Sequence, residues 1–541
     1  IRDSNYNINR CDIAATVGWT GRYENMNNIR VSTNGGLVTE NWFDLNASRY
    51  TPSSTLQRME LLKTGYMGTL SLGWDNYLFL ELTGRQERSS TLKDQSFFYP
   101  SANLSFLFTQ AFHMPSWWNY GKLRLSYGIV GNAPETYTAN IVYEQGSDNG
   151  FTWNTIPSSW GNADIRPEKK YEYEIGLESK FLNNRLGIDV SYYNNRVKDQ
   201  ILSTPQPSTS GVKNVLMNVG EVANHGWDIS ISATPILTRD FRWDLTANYG
   251  VYKNKVVKLA DGVPYLEILN SGGSGIKIQA VEGQPMGDIY AQVPQVNENG
   301  EYLVSDKGLY LNQTELQKVG NINPAGVGGL FNSFSYKNVF LDFSIDFRIG
   351  GDVINEMNQY ATAVGLTPES LKYRDTEHGG LSYYYPGDNN SSGIPVQVDP
   401  STGAGPNGEI IYHDGIILPG VVASTGERNT RIIPAGYYYN TTYNWGTEAE
   451  QLTYRHSVFD NSYVKLRELT IGYQFPEKMI SKLGLGRLSV SVFGRNLFYF
   501  YKALKNYDAE SSVGTSWANQ ATVGSSTTAT RSFGVSPRAS F

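Results

Sequence analysis

The chain has 541 residues, a formal net charge of −6 and one cysteine, Cys11. That balance leaves no electrostatic footprint for nucleic acid, and one cysteine excludes an internal disulfide or a thiolate metal site. No run of about 18 apolar residues exists to cross a membrane as a helix, although a closed sheet escapes that test because only every second strand residue meets lipid.

Alternation of apolar and polar residues predicts strands over 12–24, 66–75, 77–86, 121–131, 171–182, 185–193, 227–235, 241–251, 339–349, 487–493 and 531–541. In 339–349, Val339, Leu341, Phe343, Ile345, Phe347 and Ile349 lie opposite Phe340, Asp342, Ser344, Asp346 and Arg348. The apolar faces of 241–251 and 339–349 carry no charge, as a lipid face requires where a charge costs about 2–4 kcal/mol at mid-bilayer. A water-soluble sandwich also alternates, but it has no reason to sort its loops. Here short links (Asp75-Asn76, Asn183-Asn184, Leu237 to Asp240, Lys337-Asn338) take turns with long ones at about 132–170, 194–226, 255–329, 350–461 and 501–530. Short turns on one side and long loops on the other belong to an outer-membrane barrel.

The count comes to about fifteen strands, the first and last both running toward the short turns. Closed bacterial barrels have even counts, so this parity predicts upstream strands outside 1–541. In the last strand Phe533, Val535, Pro537, Ala539 and Phe541 share a face. A terminal strand aromatic suits barrel closure, and Pro537 removes a ladder donor, which predicts a bulge or shifted register there.

Several stretches resemble the C-terminal half of SusC/RagA-type TonB-dependent outer-membrane transporters. They include Leu123-Arg-Leu-Ser-Tyr-Gly-Ile-Val-Gly-Asn132, Arg166-Pro-Glu-Lys-Lys-Tyr-Glu-Tyr-Glu-Ile-Gly176 and Asn218-Val-Gly-Glu-Val-Ala-Asn-His-Gly-Trp227. The most specific are Ser462-Tyr-Val-Lys-Leu-Arg-Glu-Leu-Thr-Ile-Gly-Tyr473 and Phe493-Gly-Arg-Asn-Leu-Phe498. The resemblance implies an all-β transmembrane antiparallel barrel of 22 strands filled by a plug. Residues 1–541 would be its C-terminal part, without signal peptide, plug or first strands. It also implies an outer-membrane location in a Gram-negative bacterium, energy from TonB–ExbB–ExbD through the plug, a SusD-like surface lipoprotein as lid, and pairing of two barrel–lid units. Cargo would be an oligosaccharide, with oligopeptide as the second choice. The nearest rival is a siderophore or vitamin receptor without a lid; from another class, a passive porin or surface adhesin.

No catalytic constellation emerges. His113, His225, His378, His413 and His456 form no H-x-x-H pair, and G-x-S-x-G, P-loop and strand-following G-x-G-x-x-G motifs are absent. Ser271-Gly-Gly-Ser-Gly275 reads as a flexible loop, His413-Asp414 as solvated loop residues, and Glu172, Glu174, Asp342 and Asp346 as charges lining the barrel lumen, packed against a plug or hydrated in the channel. The loop carboxylates Asp375, Glu377, Asp388, Asp399 and Glu409 lack a calcium-loop spacing, so the reading is no cofactor, with loop calcium left open. Trp117, Trp118 and Tyr120 read as an interfacial girdle. The substrate candidates are Tyr383, Tyr384, Tyr385, Tyr437, Tyr438, Tyr439, Tyr443 and Trp445, all within 350–461, because aromatic faces pack on sugar rings. The competing role for these rings is the core of a loop too long to stay structureless.

Overall fold

A computed structural model describes the chain except residues 1, 9, 94–95, 149–150, 272–274, 388–392, 445–452, 482–483, 513, 525–528 and 541. The expectations for Trp445, Asp388, Phe541 and the centre of the 271–275 glycine run thus lie outside the described residues. The chain divides into two compact units, Ile1–Ile229 with Asn254–Pro264, and Ser230–Lys253 with Tyr265–Phe541.

In the first unit eight strands pair antiparallel, each with the next in chain order: β1 (Arg2–Ile8), β2 (Cys11–Leu37), β3 (Ser48–Trp74), β4 (Leu78–Ser89), β5 (Ser96–Phe106), β6 (Trp118–Asn132), β7 (Glu168–Phe181) and β8 (Leu186–Lys198). β9 (Glu221–Leu237) runs from the first unit into the second. β10 (Phe241–Lys258) starts in the second unit and ends in the first, and β11 (Gly326–Tyr336), β12 (Val339–Ile349), β13 (Tyr463–Gln474), β14 (Arg487–Lys502) and β15 (Ser532–Ser540) continue the meander in the second. The large sheet has fifteen strands. The expected count started at 12–24, so β1, whose Ile8 pairs with Cys11, was not among them, and the 12–24 segment runs away from a short link instead of toward one. Two of the short links use residues that tolerate positive φ: Asp75 and Asn76 at 51° and 61°, Asn183 and Asn184 at 57° and 62°. Two consecutive left-handed residues match the right-handed twist of a tight hairpin.

The strand side chains are arranged inside out. Trp19 is 58% exposed, Tyr66 68%, Val492 57% and Phe533 73%, all on apolar faces. Among the described residues, Phe97, Val222, Val256 and Leu466 are the buried apolar side chains that these strands supply. The opposite face carries paired charges, such as Arg124 with Asp189 at 2.6 Å and Arg85 with Glu87 at 2.8 Å. At the short-turn end of β6 and β7, Trp117, Trp118 and Phe181 stack at 5.4–6.0 Å, the amphipathic cluster expected of a girdle.

Buried apolar clusters lie instead mainly in the connections: Leu92 and Ile165 with Phe97 in the first unit, and larger ones in the long connections of the second. A four-stranded sheet (Tyr265–Ser271, Ile276–Val281, Asp288–Ala291, Gln317–Asn321) buries Ile276, Ile278 and Ile289 against Ile354, Tyr454 and Val458. Helices α1 (Glu356–Ala363) and α2 (Ala435–Tyr443) belong to the same connections. Gly275, read as part of a flexible loop, is packed: a Cβ there would come within 1.9 Å of the Tyr454 ring.

Three boundaries differ from expectation. β2 and β3 are 27 residues each rather than the 12–24 and 66–75 segments, because Asn25 and Asn27 fall on the apolar parity and Met26 on the other, breaking the period-two pattern while the ladder continues. At about 3.3 Å per residue the hairpin is about 90 Å long, three times the hydrocarbon thickness. The loop expected at 194–226 shrinks to 199–220, because β8 runs to Lys198 and β9 starts at Glu221. Pro537 produces neither bulge nor register shift: it pairs with Val490 inside an unbroken ladder. Among the described residues β15 pairs on one side, so a proline whose missing N–H points to the other side leaves that ladder intact.

Candidate functional site

The aromatic candidates assemble into two packed groups. Tyr383, 1% exposed, stacks on Tyr412 at 5.5 Å, meets Tyr385 edge-on at 5.4 Å and donates its hydroxyl to Asp414 at 3.1 Å. Burial, reinforced by Asp414, pushes the Tyr383 phenol far above its ordinary pKa. Tyr385 is 6% exposed, and Tyr384 beside it is half-buried. In α2, Tyr439 is 4% exposed and donates to the backbone oxygen of Glu369 at 2.8 Å, with Arg374 over its ring at 5.5 Å. Burial raises its pKa to about 12. Tyr437 and Tyr438 pack against Leu309, Ile416, Leu418 and Ile433. Tyr443 stacks on His456 at 4.3 Å, where burial and the charge of Arg455 press the imidazole pKa down to about 4.

These tyrosines therefore build the interior of the loop body, while Tyr384, Tyr437, Tyr438 and Tyr443 keep part of their surface open. His413 Nδ1 lies 2.9 Å from Ser382 Oγ, itself buried. Asp399 accepts from Ser401 N at 2.9 Å, and Glu409 accepts from Asn407 N at 2.8 Å. Among the described residues no three His, Cys, Asp or Glu side chains gather closely enough to hold a metal.

A second constellation escaped the sequence reading. In the β12–β13 ladder Ser344 pairs with Glu468 and Ile345 with Leu466, so Arg467 is an extra, bulged residue. Across β14 the ladder is also irregular, and Asn496 takes a positive φ of 53°. Bulges re-aim side chains and are frequent beside functional sites. Here the bulge brings Arg467 to the polar face that Lys465 and Asp346 share. Arg467 donates to Asp346 at 3.2 Å, to Asn496 at 3.0 Å and to Glu510 at 2.8 Å, while Lys465, 2% exposed, also grips Glu510. Beside them Asp508 accepts from Tyr499, and Lys502 donates to the backbone oxygen of Tyr507 at 2.6 Å. Burial opposes ionisation of Glu510, but the hydrogen bonds from Arg467 and Lys465 hold its carboxyl below the ordinary range. One signal was legible: Lys465, Arg467 and Glu468 break the alternation that Leu469, Ile471 and Tyr473 resume on the opposite parity.

The profile of a family described as TonB dependent receptor-like, beta-barrel, matches residues 2–294. A relative from Formosa agariphila, TonB-dependent receptor P3, is 24% identical over 494 residues, covering 83% of this chain and 42% of that protein. TonB-dependent receptor SusC of Bacteroides thetaiotaomicron is 30% identical over 247 residues, 42% of this chain and 24% of that protein. The solved structure of the RagAB peptide transporter superposes with a TM-score of 0.70 over 99% of this chain and 54% of that one. Its identity of 17% makes that a likeness of fold. A second structure, the RagAB peptide importer in the closed-closed state, gives 0.64 over 92% of this chain and 51% of that chain, at 19% identity. The chain thus spans less than half the length of these curated relatives.

Proposed function

The chain belongs to the TonB-dependent receptor-like β-barrel family, and from that premise we propose that it supplies barrel wall and external loops to an active importer in the outer membrane of a Gram-negative bacterium. The observation carrying this reading is the inversion of apolar burial: large side chains exposed along the strands and enclosed in the long connections. From β2 to β14 each strand is laddered to a neighbour on both sides, the condition for spanning a bilayer without helices. The loop bodies stand in water and present surfaces to cargo. In this reading the chain's work is binding and passage rather than bond chemistry, as the receptor family implies.

The cargo is an oligomeric nutrient, an oligosaccharide first, because half-open tyrosine rings beside Asn and Asp suit sugar faces and hydroxyls. An oligopeptide is the second reading, favoured by the RagAB peptide transporter's fold. TonB supplies the energy, and a SusD-like lipoprotein covers the loops. The test is uptake of labelled oligosaccharide by cells with and without TonB, with mass spectrometry of the complex drawn from native membranes. Loss of uptake without TonB and a lipoprotein in near-equal amount are expected. Uptake that survives without TonB would make the chain a passive pore, and a complex without lipoprotein would point to a siderophore-type receptor.

A further inference from the structure

We propose that Lys465 and Arg467 form a carboxylate-binding site for an acidic, uronate-bearing oligosaccharide, and that Glu510 occupies this site until cargo displaces it. The inference rests on the import reading above and narrows its cargo.

The charges divide by element. The strands β12 to β14 contribute three cations, Lys465, Arg467 and Lys502, against one carboxylate of this cluster, Asp346. The neutralising carboxylates, Asp508 and Glu510, come from the connection that follows β14. Glu468, also on β13, is matched by Arg495 at 3.0 Å and leaves the count unchanged. Withdrawing the connection would expose a cationic patch on an otherwise balanced wall. Arg467 meets both oxygens of Glu510, at 2.8 and 2.5 Å, the two-point geometry a guanidinium offers any carboxylate.

Stability gives little reason to keep such a cluster. A lysine 2% exposed and ion-paired costs desolvation that the pair at best recovers, so apolar residues would serve a permanent contact as well. A site meant to exchange one carboxylate for another needs the cations. The surroundings suit a sugar acid: the Tyr499 ring carries Lys465 at 4.7 Å and Lys502 at 5.3 Å and meets Tyr463 edge-on at 5.7 Å, so aromatic surface stands beside the charge that a uronate would take from Glu510. Because Glu510 is tethered, it competes at an effective concentration in the millimolar range. Removing its charge should therefore raise the affinity for an acidic cargo.

The full-length transporter in detergent, as wild type, Glu510→Gln and Glu510→Gln with Lys465→Gln, is titrated calorimetrically with tetragalacturonate, maltotetraose and a tetraglutamate peptide. Glu510→Gln should bind tetragalacturonate about tenfold or more tighter, lose that gain at high salt and in the double variant, and leave maltotetraose unchanged. Glu510→Asp, which keeps the charge, should behave as wild type and controls for misfolding. Equal affinities in wild type and Glu510→Gln overturn the proposal, as does a gain that survives Lys465→Gln. A gain for tetraglutamate but not tetragalacturonate overturns the assignment to sugar acids. Direct binding does not need TonB, so TonB-dependent uptake with no change in these affinities leaves the import reading standing and this inference refuted.

Discussion

Val492 on β14 and Ile278 in the connection after β10 are both apolar, both in strands, and treated in opposite ways. Val492 is 57% exposed in a ladder flanked by other exposed apolar residues, whereas Ile278 is fully enclosed by Ile276, Ile289, Ile354 and Tyr454. In water the first arrangement would be a liability and the second ordinary. In a bilayer the first is what a wall requires, because lipid replaces the missing protein layer. The connections, standing in water, must find their own core, and they do so with a small sheet, two helices and stacked tyrosines. One chain thus satisfies two solvents in two regions.

That contrast can be broken most severely inside the loop body. Ile278→Ala should cost about 2–5 kcal/mol through lost burial and the cavity left behind. Hydrogen exchange should show protection falling across 276–291 while β10 to β14 stay protected; a loss spread evenly through the strands would contradict separate cores. Next comes the wall. Val492→Arg should cost about 2–4 kcal/mol in lipid vesicles if that face meets hydrocarbon. A water-facing site would tolerate the change to within about 0.5 kcal/mol, and urea unfolding in vesicles distinguishes the two.

A smaller effect sharpens how the loop body holds together. Asn355 caps α1 by accepting from Asn358 N at 3.0 Å, so Asn355→Ala should cost about 1 kcal/mol. Proteolysis within 356–363 would report it. The mildest prediction concerns pH. His456 has its pKa lowered from 6.5 to about 4, so the unfolded loop binds the proton first. The contribution is complete above pH 6.5 and is lost as the pH falls toward 4. Exchange protection near α2 should decline over that window, and His456→Phe should flatten the slope; a decline that persists in the variant would assign the effect to another group.

How much of this was legible varied with the signal. β12 was readable to the residue, since Val339 to Ile349 alternates without interruption and a single face can be buried in lipid. Asp75-Asn76 and Asn183-Asn184 announced their turns through residues that accept positive φ. The upper part of the β2–β3 hairpin was not readable, because both of its faces meet water and no hydrophobic period marks the strand. The tyrosines of 350–461 were visible as a group, but whether they face cargo or one another depended on which partners the folding of that segment brought to them. Arg467 was visible only as a break in alternation.

Taken alone, the sequence determined the architecture: period-two patterning, loop parity and turn chemistry are local properties, and a bilayer reads them strand by strand. The tertiary structure decided which residues meet. Lys465, Arg467, Asp346 and Glu510 come from three segments, up to 164 positions apart in numbering. They converge through one bulged residue and one long connection. Charge pairing across such distances depends on ladder register and on where a loop comes to rest, and neither leaves a period in the chain.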